Sequence, residues 1–111
     1  MAALVGASNQ GSLNGATHVT LVTAPSAGVY RMIRCLYINH TDLVTVTLHV
    51  AKLVSAVNYQ IHSQLMLQGY TMEFGDGDAI ILEEGETLEA WIDRSPSTQP
   101  QFVVSYGDKQ P

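Results

Sequence analysis

Apolar and polar residues alternate along much of this chain, and the clearest case is the stretch LVTVTLHV, residues 43–50. From residue 44 onward, every even-numbered position in this stretch is Val or Leu and every odd-numbered position is Thr or His. A period of two is typical of a β-strand that buries one face. The segment is therefore predicted to be a strand in a sheet that is covered on one side.

Similar signals recur from end to end, separated by turn residues such as Pro25 and Gly28. The predicted strands cover residues 17–24, 29–39, 44–52, 64–68, 70–74, 79–82, 87–92 and 102–106. The segment LVSAVNYQIHSQ, residues 53–64, is ambiguous, because it fits either a short helical turn or a further strand near residue 60. About seven to nine short strands at this spacing favour an all-β protein, a single-domain β-sandwich or jelly-roll-like barrel.

Two of the predicted strands depart from the simple alternation. In VYRMIRCLYIN, residues 29–39, both faces carry large apolar side chains, which predicts a central strand covered on both sides. In TLEAWID, residues 87–93, the alternation places Trp91 on the outer face beside Glu89 and Asp93. A tryptophan among carboxylates on a solvent face is typical of an interface anchor, and the alternative is that a loop of the chain itself covers it.

The first sixteen residues, MAALVGASNQGSLNGA, are mostly small and polar, with scattered apolar residues. They are predicted to be a flexible N-terminal arm (residues 1–16) that precedes the sandwich domain (residues 17–111). One interpretation is a disordered tail. The other is an arm that becomes ordered on a neighbouring subunit, in which case Leu4, Val5 and Leu13 are, with Trp91, the candidate partner-interface residues.

Charge is scarce and unevenly placed. Charged residues make up 14% of the 111-residue chain, against about 25% in typical soluble domains. This scarcity suggests that other subunits cover part of the surface. The net charge is −5, and residues 73–93 contain eight acidic residues and no basic one. Such a chain lacks the basic surface of a nucleic-acid binder. The sequence also has no signal-peptide pattern and no stretch long enough to span a membrane, so synthesis in the cytoplasm is expected.

No arrangement of residues predicts catalysis or a cofactor. The four histidines lack the spacing that is common for metal ligands, and Cys35 lies in an apolar run where a small buried residue is expected. A weak calcium candidate is EFGDGDAIILEE, in which Glu73, Asp76 and Asp78 carry carboxylates. The same glycines and aspartates are equally well explained by a tight turn. The chain is therefore expected to be a binding or structural protein without cofactors, rather than an enzyme.

Two longer stretches, VTLVTAPSAGVYRMIRCLYINHTDLVTVTLHV and AIILEEGETLEAWID, resemble a pattern in small structural proteins of tailed bacteriophages. In that pattern a TAP turn leads to a strand that ends in N-x-T, followed by an alternating V/T strand and later an L-x-x-G-[DE]-x-L-x-A hairpin. The resemblance covers roughly residues 17–106. The size and order of the motifs are most similar to capsid decoration proteins, in particular the staple-like capsid proteins of epsilon-fifteen-type podoviruses.

The resemblance implies a β-sandwich on the outer surface of a virion that clamps major capsid protein subunits together, as a homodimer or other small homo-oligomer. A location in the neck or tail stays open, since residues 51–64 do not belong to the pattern. A different class of function also stays open, a carbohydrate-binding module in which Trp91 stacks on a sugar and Asp93 or Glu89 bonds its hydroxyl groups.

Overall fold

Two antiparallel sheets of four strands each form the protein. The computed structural model describes residues 5–109, without the side chains of residues 5 and 76–79. The strands are β1 (Val5–Ser12), β2 (Val19–Val22), β3 (Tyr30–Asn39), β4 (Val46–Val54), β5 (Val57–Met66), β6 (Thr71–Leu82), β7 (Thr87–Ile92) and β8 (Gln101–Lys109). Sheet one has the order β1-β8-β3-β6 and sheet two the order β2-β7-β4-β5. The predicted all-β sandwich is confirmed.

The core lies between the two sheets and is built from inward-facing residues of both central and edge strands. In β4 the even-numbered positions Val46, Leu48 and Val50 are buried, as the alternation in LVTVTLHV predicts. The other large core residues include Leu21, Ile33, Leu36, Ile38, Met66, Leu82, Leu88, Ile92, Phe102 and Val104. The described residues include no helix long and apolar enough to cross a bilayer.

Strand β3 is central in sheet one, between β8 and β6, but only one of its faces is covered by this chain. Ile33, Leu36 and Ile38 are buried, whereas Tyr37 is exposed and Cys35 is half-buried. A bulge between residues 33 and 35 shifts the register with both neighbouring strands, so that Cys35 and Tyr37 share the outer face. The expectation of a strand covered on both sides is therefore wrong for the single chain.

Much of the expected N-terminal arm lies in the sandwich. Residues 5–12 form β1, which pairs in register with β8 along its whole length. The next residue, Leu13, is 2% exposed and belongs to the core. The segment joins the two sheets, since the Asn9 side chain donates a 2.9 Å hydrogen bond to the Leu21 carbonyl. The boundary expected at residue 16 is thus not a boundary of the fold, and detachment of this segment in solution stays a prediction.

The ambiguous segment, residues 53–64, contains the turn of a hairpin and no helix. Strands β4 and β5 are joined by Ser55 and Ala56, which have φ angles of 50° and 64°. Two consecutive residues with positive φ match the two-residue hairpin turn whose twist suits antiparallel strands. Opposite the step from Val50 to Ala51, Ile61 is an extra residue in β5 and forms a bulge. The helical alternative near residues 52–62 is therefore wrong.

The GDGD stretch lies within a strand rather than at a turn between two strands. Strand β6 runs through it, and four residues, 76–79, separate Gly75 from Ile80 where β3 has only Arg34 between the residues paired with them. Strand β6 therefore makes a large bulge of four residues at the position where the sequence predicts a tight turn. Glycine and aspartate favour both structures, and the pairing of the flanking residues with β3 decides between them.

Candidate functional site

Trp91 lies between two histidine rings on the outer face of sheet two. Its ring centroid is 3.8 Å from that of His18, with an interplanar angle of 9°, and 5.3 Å from that of His49, with an angle of 18°. Strand β7, which carries Trp91, runs between β4, which carries His49, and β2, which begins directly after His18. The two imidazoles therefore approach the indole from opposite sides, and both faces of the indole are occupied.

A carboxylate supports this aromatic stack from one side. Glu89 is 6% exposed, and its Oε1 lies 2.8 Å from His18 Nδ1. A carboxylate removed from water needs a hydrogen-bond donor, and His18 supplies one. On the other side of the stack, His49 Nδ1 lies 2.8 Å from Gln60 Oε1. Hydrogen bonds thus fix both imidazoles, and the Trp91 region is a preformed, internally paired surface.

The other candidate interface residues from the N-terminal segment are distributed differently. Leu4 lies outside the described residues, as does the Val5 side chain, although the backbone of Val5 begins β1. Leu13 is sealed in the core, and its backbone N–H donates a 2.9 Å hydrogen bond to the Pro100 carbonyl. Leu13 therefore stabilises the sandwich of its own chain, and its assignment to a partner interface stays a prediction.

The calcium candidates are only partly described. Glu73 is exposed on β6, and the side chains of Asp76 and Asp78 lie outside the described residues. Within the described part of the chain, no three His, Cys, Asp or Glu side chains are grouped so that they could hold a metal ion. The calcium assignment stays a prediction that the described residues do not support.

A group of exposed apolar side chains lies at one end of sheet two. We call it the upper patch, and it consists of Leu43, Val44, Leu65 and Leu67. Leu43 is 80% exposed, Leu65 60% and Leu67 59%. Leu65 pairs with Thr47 near the end of β5, and the loops that follow β3 and β5 meet where the Gly69 N–H bonds the His40 carbonyl at 2.7 Å. The four apolar residues thus lie on adjoining segments at this end of the sandwich.

The loop that presents Leu43 and Val44 is held in a fixed conformation. The ring of buried His40 donates from Nε2 to the Val44 carbonyl at 2.6 Å, and Asp42 accepts hydrogen bonds from the N–H groups of Val44 and Thr98, both at 2.9 Å. These backbone donors lower the pKa of the Asp42 carboxyl below its usual value. The apolar residues of this loop are therefore exposed on a rigid support, which reduces the entropy lost on binding.

Charges are paired at the opposite end of the sandwich. Arg31 binds Asp108 through two hydrogen bonds of 2.7 and 2.9 Å, and it lies 4.8 Å from the centre of the Tyr106 ring. Lys52 Nζ lies 2.8 Å from Glu86 Oε1. These cations lower the pKa of the Asp108 and Glu86 carboxyls. Only the second pair involves the acidic segment, residues 73–93, which is therefore partly neutralised here by Lys52 of β4.

Two features of the surface were not found from the sequence. The stack around Trp91 requires His18 and His49, which lie far apart along the chain and become neighbours only through the order of the strands. The upper patch had one detectable signal, which is that residues 53–72 contain no Asp, Glu, Lys or Arg. An exposed strand without charge is unusual for a free sheet edge, and this could have identified β5 as a contact region.

No protein-family model matches this chain, and none of the curated proteins matches it. Among solved structures, Bacillus endospore appendages, a family of disulfide-linked pili, give a TM-score of 0.60 at 11% identity, covering 100% of this chain and 92% of that one. The cyanophage Pam1 capsid gives 0.47 at 15% identity, covering 99% of this chain and 85% of that one. A Clostridium thermocellum endo-1,4-beta-D-xylanase with CBM22-1 and GH10 modules gives 0.45 at 11% identity, covering 97% and 26%. The pilus similarity shows a common fold, and the other two are too low to bear on function.

Proposed function

We propose that this protein is a non-enzymatic structural component of a virion, which binds the exterior of a bacteriophage capsid and clamps major capsid protein subunits together. The observation that carries the proposal is the upper patch, in which Leu43, Leu65 and Leu67 are exposed on a rigid end of the sandwich. Such a patch on a small sandwich favours an interaction role, and the resemblance over residues 17–106 supplies the class of partner.

The energetics favour docking through apolar contact. Burial of a leucine side chain contributes about 1.5–3 kcal/mol, so three exposed leucines supply at most about 5–9 kcal/mol, which offsets only the lower part of the association cost of about 4–15 kcal/mol. The rest of the interface supplies the remaining energy. Exposed ion pairs contribute at most about 1 kcal/mol each. The low charge content of this chain, 14%, agrees with a protein whose surface is partly covered in its working state.

The charge of the chain fits the outer side of a shell. With a net charge of −5, the protein is repelled by packaged nucleic acid and gains nothing from contact with it. On the exterior, the shell separates the acidic segment 73–93 from the nucleic acid inside the particle. The proposed partner is therefore a protein surface, the major capsid protein.

The carbohydrate-binding alternative is less well supported by the geometry. A sugar that stacks on Trp91 needs a free indole face, and His18 and His49 occupy both faces. Glu89, one of the residues expected to bond sugar hydroxyls, is buried against His18. Sugar binding at this position would require displacement of an imidazole and loss of its hydrogen bond.

The proposal is tested with capsids that are assembled without this protein from the phage that encodes it. These shells are expected to form, to release DNA at a lower temperature than complete particles, and to regain stability when purified protein is added. An unrelated acidic β-sandwich of similar size is the control and should have no effect. Moderate salt should weaken rebinding only modestly, because screened charge is a minor contribution.

Absence of binding and of stabilisation would contradict the proposal. A saturable signal on a glycan array that disappears in Trp91→Ala, in a chain that binds no shell, would favour the carbohydrate-binding alternative instead.

A further inference from the structure

The second half of β5 is an open sheet edge. Strand β5 is the last strand of sheet two in the part of the chain that the structure describes, with β4 on its other side. Residues 62–66, which we call the edge segment, pair with residues 46–50 of β4 without any register shift. An edge strand presents a row of unpaired backbone N–H and C=O groups on its free side, and these groups can bond another extended chain.

The edge segment is less protected than the other sheet edges. Strand β2 has only four residues, and β6 carries Glu73 and the large bulge at residues 76–79. Strand β1 includes Gly6 and Gly11 and thus presents few side chains to a partner. Natural proteins limit edge pairing with short strands, charges and bulges. The edge segment contains no bulge, and its sequence HSQLM has no Asp, Glu, Lys or Arg, although with five residues it is only one residue longer than β2.

The bulge at Ile61 sets one limit of this edge. Above it, the regular pairing from His62 to Met66 gives a straight stretch of five residues. At its other end the edge segment continues directly into Leu67. Leu65, which lies within the edge segment, and Leu67 are two of the four residues of the upper patch. Backbone hydrogen-bonding groups and exposed leucines are therefore available side by side on one surface.

We propose that the edge segment takes up an extended segment of the partner as an additional strand of sheet two, with apolar side chains of that segment against Leu65 and Leu67. The inference rests on the proposed function, and the partner is then a segment of the capsid shell. Backbone hydrogen bonds require an extended conformation in that segment, and side chains at alternate positions reach the leucines.

The absence of charge determines the chemistry of the segment that fits. Residues 53–72 contain no Asp, Glu, Lys or Arg, so a charged side chain buried against this edge would have no counter-ion on β5. Asp93, which accepts a hydrogen bond from the N–H of Thr47 opposite Leu65, is already paired with Arg94. Removing an unpaired charge from water is costly, whereas an apolar or neutral polar side chain is accommodated. The segment is therefore neutral over the contacting residues.

The test compares two lysine substitutions in binding to shells that lack the protein. Leu65→Lys places a charge on the edge segment at a position that is already exposed, so the fold should be retained. Val103→Lys places the same charge at an exposed position of β8, on the outer face of sheet one, and is the control. Leu65→Lys is expected to weaken shell binding at least about tenfold, and Val103→Lys to leave it within about twofold. Circular dichroism of both variants verifies that they are folded.

Hydrogen–deuterium exchange separates strand addition from contact through side chains alone. In the unbound protein, the amides of the edge segment that do not bond β4 should exchange fast. On shells these amides, at alternate residues of 62–66, should become protected.

Shell binding by the wild-type chain that is unaffected by Leu65→Lys, or that leaves the edge amides unprotected, overturns the inference and leaves the proposed function standing. Loss of binding in Val103→Lys alone would place the contact on sheet one and also overturn the inference. A wild-type chain that binds no shell overturns the proposed function, and the inference with it.

Discussion

The N-terminal segment (residues 5–16) and the uncharged segment (residues 53–72) differ in composition and in the way they are attached to the fold. The N-terminal segment is rich in small and polar residues, yet it pairs along β8 and buries Leu13. The uncharged segment contains many large apolar residues, yet Tyr59, Leu65 and Leu67 are exposed. Residues 6–12 are exposed, as their composition suggests, but composition predicts neither their pairing with β8 nor the exposure of the leucines of β5 and the turn that follows it.

The position of each segment in its sheet explains the difference. Strand β1 is also an edge strand, but its small residues allow close approach to the core, as where Gly11 lies against the ring of Phe102. Strand β5 is the edge strand of sheet two, so in the described chain no further strand lies beside it on its free side, and Tyr59, Ile61 and Leu65 are exposed. The small residues of β1 thus allow close packing against the core, whereas large residues at the uncovered edge of β5 stay exposed.

The largest expected effect compares one leucine from each segment. Leu13→Ala should lower the free energy of unfolding by about 3 kcal/mol, because it leaves a cavity between the sheets. Leu65→Ala should change it by less than about 0.5 kcal/mol, because the side chain is exposed in the folded chain. Urea denaturation of the two variants measures both values. Similar effects of the two substitutions would show that the N-terminal segment is detached in solution.

A smaller effect is expected for the glycines of β1. A Cβ at Gly11 would lie 3.1 Å from the Phe102 ring, so Gly11→Ala requires the ring to shift and should cost about 1 kcal/mol. At Gly6, in the same strand, a Cβ would meet nothing within 4 Å. Gly6→Ala is therefore the matched control and should stay within about 0.5 kcal/mol of the wild type. Thermal unfolding of the pair measures the difference, and equal stabilities would contradict the packing of β1.

The sequence predicts the strands that have strict alternation and clear turns. The strand predicted for residues 87–92 matches β7 in both bounds, and the strand predicted for residues 29–39 differs from β3 by one residue. The hairpin at Ser55 and Ala56 was ambiguous because neither residue is a glycine, although both have positive φ. The GDGD stretch was misassigned because local composition does not distinguish a turn from a bulge.

The candidate site was less predictable than the fold for a physical reason. The outward position of Trp91 follows from alternation within β7, but its two ring neighbours depend on which strands lie beside β7. The same dependence applies to the upper patch, whose residues come from the loop after β3 and, farther along the chain, from β5 and the loop that follows it. Alternation along one strand indicates the face on which a residue lies, and only strand order indicates what covers that face.

The smallest expected effect concerns an ion pair at the end of the sandwich where β1 begins. Asp108 lies opposite Val5 at the start of β1, and the hydrogen bonds from Arg31 lower the pKa of its carboxyl below the ordinary value of 3.8. A carboxyl with a lowered pKa in the folded state contributes stability above its unfolded pKa and loses it as the pH falls through the folded value. Acid unfolding should therefore begin with a loss of stability below about pH 4.

In Asp108→Asn this part of the loss should be absent, and stability at pH 7 should fall by less than about 1 kcal/mol, because the pair is partly exposed. Glu84→Gln, at the exposed β6–β7 turn, makes the same change in charge and should leave the pH profile unchanged. Urea denaturation between pH 2 and pH 7, on the order of one measurement per pH unit, compares the three proteins. A profile for Asp108→Asn that coincides with the wild type would show that Arg31 and Asp108 do not pair in solution, and that β3 and β8 are not linked by charge at this end.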